Sequence, residues 1–498
     1  MKNFLLKVYP SQFKLKKQDQ LAWKLAEMAL DPAPLSQRAK EMLINRIIDN
    51  AGVAIASLQR SSVRNAREQA LEHPFSKGGR VFGLSNKYGF SPEWVAWANG
   101  VAVRELDFHD TYLAEDYSHP ADNIPPILAL AQHTEKTGEE LLKACLSAYE
   151  VHISLVKGIC LHKHKIDHIA HLGPAQTAGL GVLLGMSVEQ TYQALQQVVH
   201  VCFTTRQSRK AEISSWKAYA PAFSGKMAIE AIDRAFRGEK SPSPIYEGED
   251  SVMACLLDGP SAEYQIPILE KGEEKNSILE TYTKAHSAEY QAQAFIDLAF
   301  EMREQIKEIA DIQKINIYTS HHTHYVIGTG SGDPQKMSPK ASRETLDHSL
   351  MYIFAVALED ASWHHEKSYT KHRSNRPETI RLWHKISTFE EEKWTKLYKH
   401  LDPNQRAFGG RVEIKMKNGK VIQGEKKRAH AHPFGLNPFV RQDYINKFLN
   451  LTENFISHQE ARRFLDLAQN LEELSKRDLK ELNVQAGLSH VSRKKGIF

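Results

Sequence analysis

The chain is short of cysteine, of apolar length and of concentrated charge, and each shortage closes off a class of function. Four cysteines, Cys145, Cys160, Cys202 and Cys255, are scattered over 498 residues without a CxxC pair. That pattern argues against a disulfide framework, a Cys-based zinc site and the clustered thiolates of an iron–sulfur protein. It fits buried, reduced thiols. No apolar run nears the roughly 20 residues that span a bilayer. The N-terminal stretch MKNFLLKVYPSQFKLKKQDQ has no long apolar core and no cleavage site. We therefore expect no signal peptide, no membrane partner and a soluble, cytoplasmic protein. The net charge of +5 is small for this length and argues against a nucleic-acid partner, which would need one concentrated basic face. There is no repeat of fixed period, no low-complexity segment, no HExxH pair and no obvious Ser or Cys nucleophile motif.

What remains is an ordinary globular composition, 41% hydrophobic and 25% charged, long enough for two or three domains. The first 260 or so residues read as helix after helix. Leu21, Trp23, Leu25 and Met28 recur at helical spacing over residues 20–30, and residues 34–56 repeat the pattern. Ser91-Pro92 is a good start for the next helix. A break falls near Lys136-Thr137-Gly138, and residues 168–184 are rich in small side chains that suit close packing. Ser187 and Gln190 form a capping-box pair, and residues 223–236 read as another helix. The texture changes near Gly259, where a linker-like stretch begins. A helix over 289–306 follows, then a strand around Ile315, Ile317 and Thr319. RVEIKMKNGKVIQG reads as a hairpin with a two-residue Asn418-Gly419 turn. Helical patterning returns from Pro438. The expected fold class is mainly α, a large all-helical domain plus a smaller α+β lid domain. The expected divisions are 1–275, 276–432 and 433–498, with the last segment returning to the first.

Polar groups gather in four places. The densest is ELDFHDTYLAEDYSHPADNIPP, residues 105–126, a helix end running into an ordered loop. If its start is still helical, Asp107 and Thr111 share a face at i, i+4. The second is HKHKIDHIAHLG, with His168 where a helix begins. The third holds Arg206, Arg209, Lys210 and Lys217, the last between Trp216 and Tyr219. Partial burial makes such a lysine a better anion ligand or a tunable acid/base. The fourth combines SHHTHYVIGTGSGDPQK with TLDHSLMYIFAVALEDASWHHE. If the first of these continues as a strand, His322 and His324 share a face, but spacing supplies no third ligand, so we expect no metal. The glycine loop lacks the helix and downstream acid that dinucleotide binding needs. Many cations and imidazoles suit a polyanionic substrate and proton transfer beside a carboxylate.

The segments LDFHDTYLAEDYSHPADNIPP, DHIAHLGPAQTAG, SSWKAYAPAFSGK, SPIYEGEDSV and LDHSLMYIFAVAL resemble the signature segments of the MmgE/PrpD family, in order along nearly the whole chain. The resemblance implies a helical domain carrying both termini, an α+β lid, a homodimer and a site between the domains. It is similar to the members that remove water from 2-methylcitrate in propionate disposal, with no cofactor and no iron–sulfur cluster. Related possibilities are cis-aconitate decarboxylation and citrate dehydration. A possibility of another class is a non-catalytic tricarboxylate-binding protein. By resemblance Asp107, Thr111, His119, His168, Lys217 and Tyr352 are the expected catalytic groups. Arg206, Arg209, Lys284 and His286 are expected to hold the tricarboxylate. Many relatives carry Pro-x-Glu-Phe/Tyr-His in the lid, whereas this chain reads Ser287-Ala288-Glu289-Tyr290-Gln291, so Gln291 stands where they have His. Lys284 or His286 is then the expected substitute.

Overall fold

The helices assemble because most carry a wide apolar face with little room between neighbours. In a computed structural model, residues 1–486 and 496–497 are described, without 115, 210–212 and 401. One hydrophobic core joins Gln37–Ala56, Pro92–Glu105, Ile124–His133, Gly138–Gly158, Ile169–Leu184 and Trp216–Phe236. Thr137 and Glu140 close a capping box at the start of Gly138–Gly158, and Ser187 and Gln190 close the one read in the sequence. The small residues of Ile169–Leu184 let helices approach closely. A Cβ on Gly179 would stand 2.7 Å from Ile127 Cδ1 and 2.9 Å from the Ala144 carbonyl oxygen.

The C-terminal helices Arg441–Thr452 and His458–Gln469 belong to this same core. Phe448 is fully buried, stacks on Phe464 at 5.2 Å, and lies over Gly52 of Gln37–Ala56.

A second core lies around a four-stranded sheet in the order Ile386–Glu390, Ile312–Thr319, Gly410–Met416, Val421–Lys426. The first pair is parallel and the other two are antiparallel. Gln293–Arg303 and Leu350–Asp360 pack on it. The mainly α reading therefore holds, with a smaller α+β domain.

Several local expectations are corrected. The hairpin loop has three residues, 417–419, closed by Met416 N–H donating to Lys420 O at 2.8 Å. Gly419, at φ +86°, takes the left-handed place such a loop requires. The histidine run is not strand: Ser320 caps a short helix, His321–Val326, and breaks the alternation. The stretch read as a linker contains Glu263–Ile268, which pairs antiparallel with Lys2–Lys7 and buries Ile266 and Leu6. Its Pro267 and flanking charges hid the strand, because a two-stranded ribbon has edges on both sides that tolerate them. Cys145 and Cys202 are buried as expected of inert thiols, but Cys160 is only part-buried and Cys255 is exposed.

Phe448→Ala should lower the unfolding free energy by about 3–5 kcal/mol, the cost of a large cavity in a packed core. Urea denaturation reads this directly. A loss under about 1 kcal/mol would mean that the C-terminal helix is not part of the core.

Candidate active site

The site is built where Pro92–Glu105 ends. Its last turn presents Arg104, and the chain then bends through Asp107, a non-glycine residue at φ +50°. Asp107 is therefore not helical, and the i, i+4 face expected for Asp107 and Thr111 does not exist. Left-handed backbone of this kind costs on the order of 1–3 kcal/mol. Asp107 tolerates it because its carboxylate is held from several sides. It accepts from Arg104 Nη1 at 2.6 Å and from Lys284 Nζ at 2.7 Å, and Lys217 Nζ lies 3.0 Å from its other oxygen. Hydrogen bonds to charged groups contribute about 1.5–3 kcal/mol each, enough to outweigh the strain. Burial by itself would raise this carboxyl. Arg104, then Lys217 and Lys284, overcome that and hold it well below the usual carboxylate range.

The chain next forms a small hairpin, Tyr112–Leu113 with Tyr117–Ser118. Thr111 exchanges backbone hydrogen bonds with Tyr282, at 3.0 and 2.7 Å, which ties the loop to the segment bearing Lys284. The Thr111 hydroxyl donates to Ser118 O at 3.0 Å and so braces the hairpin. His119 follows, just before Pro120. Its Nδ1 lies 3.0 Å from Asp110 O, a contact that requires a proton on Nδ1. Nε2 is then a lone pair, and it accepts from Arg104 Nη2 at 3.1 Å. Burial, then Arg104, holds this imidazole well below its ordinary value, so it is neutral at pH 7.

His168 precedes Ile169–Leu184, with Nδ1 3.0 Å from Asp167 Oδ1. Its Nε2 has no hydrogen-bond partner and lies 3.9 Å from Asp122 Oδ2. The His119 and His168 rings meet edge-on at 5.6 Å. Asp167 also accepts from Ser208 Oγ at 2.6 Å and from Arg209 Nε at 3.3 Å. Arg206 donates to the Tyr117 hydroxyl at 2.7 Å.

The smaller domain closes the other side. Asp347 accepts from Lys217 Nζ at 3.2 Å and from Arg343 Nη1 at 3.2 Å, and is tightly hydrogen-bonded to His348 Nδ1. Burial pushes the His348 imidazole down to about 4, reinforced by Lys217. The Glu289 backbone N–H donates to Asp347 O at 3.1 Å. The cavity between the two domains measures about 960 Å³. Asp107, Thr111, His119, His168, Arg206, Arg209 and Lys284 all line it. Lys217 stands one layer behind, against Asp107, and is buried there.

Two expected residues lie elsewhere. Tyr352 is fully buried in the core of the smaller domain, its hydroxyl donating to Ser368 O at 2.5 Å and its ring 4.9 Å from Trp383. The apolar run around it, LMYIFAVAL, is a core helix, and that outweighs the motif. His286 pairs with Asp297 at 2.9 Å and packs edge-on against Phe300, away from the cavity. Of the two expected substitutes for the missing lid imidazole, only Lys284 faces the site. Lys210 lies outside the described residues. Sequence reasoning passed over Arg104, Asp347, His348 and Glu289. Arg104 had a signal, its i, i+3 spacing to Asp107. Asp347 and His348 had none beyond their place in the LDHS run.

Among the described residues, two groups bring metal-ligand atoms within 4.8 Å of one another: Asp107, His109 and His119, and Asp107, Asp347 and His348. Both depend on Asp107, whose two oxygens already face Arg104, Lys217 and Lys284, so an added cation would meet like charge at contact distance. Among the described residues, no helix is long and apolar enough to cross a membrane.

Comparison with known proteins adds the lineage. The MmgE/PrpD N-terminal domain model matches residues 19–265 and the MmgE/PrpD C-terminal domain model matches residues 286–473. The probable 2-methylcitrate dehydratase of Saccharomyces cerevisiae is 24% identical over 428 residues, 79% of this chain and 80% of the relative. The mitochondrial 2-methylcitrate dehydratase of Yarrowia lipolytica is 24% identical over 415 residues, 76% and 77%. The 2-methylcitrate dehydratase of Escherichia coli K12 is 24% identical over 431 residues, 79% and 85%. With both domain models matched in order, the chain belongs to the MmgE/PrpD family.

Proposed function

We propose that this chain is a hydro-lyase that removes water from 2-methylcitrate to give 2-methyl-cis-aconitate, without an iron–sulfur cluster, in the methylcitrate cycle of propionate catabolism. The observation that carries the reading is the meeting of a neutral imidazole, a second imidazole with a bare Nε2, and a surplus of cations in one cavity. The names of three relatives, matched over about four-fifths of the chain, point to the same substrate. The reading carries with it the homodimer that the family resemblance implies and the cytoplasmic location expected from the sequence.

In this mechanism Lys284, Arg206 and Arg209 take the carboxylates. Arg104 and Lys217, through Asp107, set the field in which extra negative charge develops beside the reacting carboxylate. A substrate carboxylate that accepts from Arg104 releases the His119 lone pair. His119 Nε2 then takes the proton from the carbon bearing the methyl group. The C–H electrons form the double bond as the neighbouring C–O bond breaks, and water leaves. His168, edge-on at 5.6 Å and flanked by Asp167 and Asp122, passes the abstracted proton on. Preorganised charge of this kind spares the reorganisation that water would need.

Purified protein mixed with 2-methylcitrate should develop the ultraviolet absorbance of a conjugated alkene, faster than with citrate and without carbon dioxide release from cis-aconitate. Tricarboxylate binding with no turnover would defeat the reading. Lys284→Met should lower kcat/KM by about 10²–10³-fold, the loss expected on removing one preorganised donor. Because burial keeps His119 neutral, kcat/KM should show no acid-side loss as pH falls from 7 through 6. An acid limb centred near 6.5 would instead mark an ordinary imidazole as the base.

A further inference from the structure

An elimination needs a proton for the departing hydroxyl as well as a base, and the lysines nearest His119 already donate to carboxylates. Lys284 is committed to Asp107, and Lys217 to Asp107 and Asp347. We propose that Glu289, on the smaller domain, is the general acid that protonates the leaving hydroxyl, and that Gln291, standing where relatives carry His, holds the carboxylate it leaves behind. This rests on the dehydratase reading above and adds a residue to it.

Glu289 lines the same cavity as His119, His168 and Lys284. Its backbone is anchored on Asp347 O, and its carboxyl accepts from Gln291 N–H at 2.7 Å. The Gln291 side-chain amide lies directly against both carboxyl oxygens. The amide nitrogen faces the Glu289 carboxylate as a donor, and the amide oxygen accepts from the Tyr398 hydroxyl at 3.1 Å and from His322 Nε2 at 3.2 Å. The amide thus steadies the carboxylate that remains once Glu289 has given up its proton. The other charged groups facing Glu289 are Lys284, Asp107 and Lys217. Burial, opposed by Lys284 and aided by Asp107, pushes this carboxyl up to about 7, so a protonated fraction survives at neutral pH.

The proton count closes. His119 gains the proton from carbon and the electron pair of that bond forms the alkene. The C–O pair leaves on oxygen, which takes the Glu289 proton and departs as water. Glu289 regains a proton from solvent and His119 loses one by way of His168.

Glu289→Gln tests this, because it keeps the shape and an acceptor for Gln291 N–H but has no proton to give. The expected result is a fall in kcat of about 10²–10⁴-fold with KM changed little. The wild-type kcat/KM should fall above pH about 7, as Glu289 ionises, and that limb should vanish in Glu289→Gln. Glu289→Asp should retain part of the rate and keep the limb. The idea is overturned if Glu289→Gln keeps more than a tenth of the wild-type kcat, or keeps the limb. Should Glu289→Gln fail to fold, a wild-type profile flat from pH 6 to 9 overturns it on its own. A wild-type protein inactive on 2-methylcitrate would instead sink the dehydratase reading, so the two failures are distinct.

Discussion

The structure depends on a buried ladder of alternating charge that runs from the helical domain into the smaller one: Arg104, Asp107, Lys217, Asp347, Arg343. Lys284 joins it at Asp107. These residues come from four separate stretches of the chain, and nearly all are sealed from solvent. Burying a charge costs several kcal/mol, and opposite neighbours repay it only when the geometry is close. The domains therefore cannot drift apart without stranding charge. Arg343 extends the tie by donating to Leu106 O at 3.3 Å and to Ser287 Oγ at 2.7 Å. The contact that docks the smaller domain is also the contact that holds the cations of the site.

The ladder is unbalanced, and that imbalance is its chemical content. Arg104, Lys217, Lys284 and Arg343 face three carboxylates, Asp107, Asp347 and, at 4.0 Å from Arg104, Asp122. The surplus is positive and sits where a trianion would rest. The same field explains why His119 is neutral. An imidazole among Arg104, Lys284 and His109, and out of water, gives up its proton readily and keeps a lone pair to offer. A second layer fixes the carriers themselves. Lys447, from Arg441–Thr452, donates to Phe108 O at 2.7 Å and to Lys284 O at 3.0 Å, and pairs with Asp49 at 2.7 Å. This helix thus grips both the Phe108 and the Lys284 segments of the site from behind.

Much of this was legible in the sequence, for a physical reason that also marks its limit. Helix periodicity and caps depend on residues within a few positions, so Ser187 and Ser91-Pro92 located their helix starts and the break near Lys136-Thr137-Gly138 separated two helices. The polar stretch 105–126 announced a site because so many buried-looking acids and imidazoles in one loop need an explanation. Which of them serve the scaffold could not be read locally. Asp110 is spent on Ala121 N–H at 2.8 Å and the Tyr149 hydroxyl at 3.0 Å, and Asp116 on Leu161 N–H at 2.8 Å. His286 was misjudged for the same reason, since its partner Asp297 lies on a helix that only the fold brings near. Tyr352 shows the reverse error, a motif residue whose burial in an apolar helix could have been weighed more heavily. Arg343, Asp347 and His348 became visible only when long-range packing set them against Lys217.

The loss of the lid imidazole at Gln291 need not cost the site its proton chemistry, and the reason lies in where the remaining groups stand. The helical-domain wall holds His119 and His168, both suited to accept or relay protons. A second imidazole opposite would have to be protonated to act as an acid, and burial, reinforced by nearby cations, would resist that, as it does for His348 and His322. A carboxyl in the same field behaves differently. Its protonated form is neutral, so burial favours the proton, and nearby lysines moderate the effect without abolishing it. In a cavity built to be positive, a buried carboxyl is the group that can carry a proton to a leaving hydroxyl at neutral pH without adding a further cation to the field.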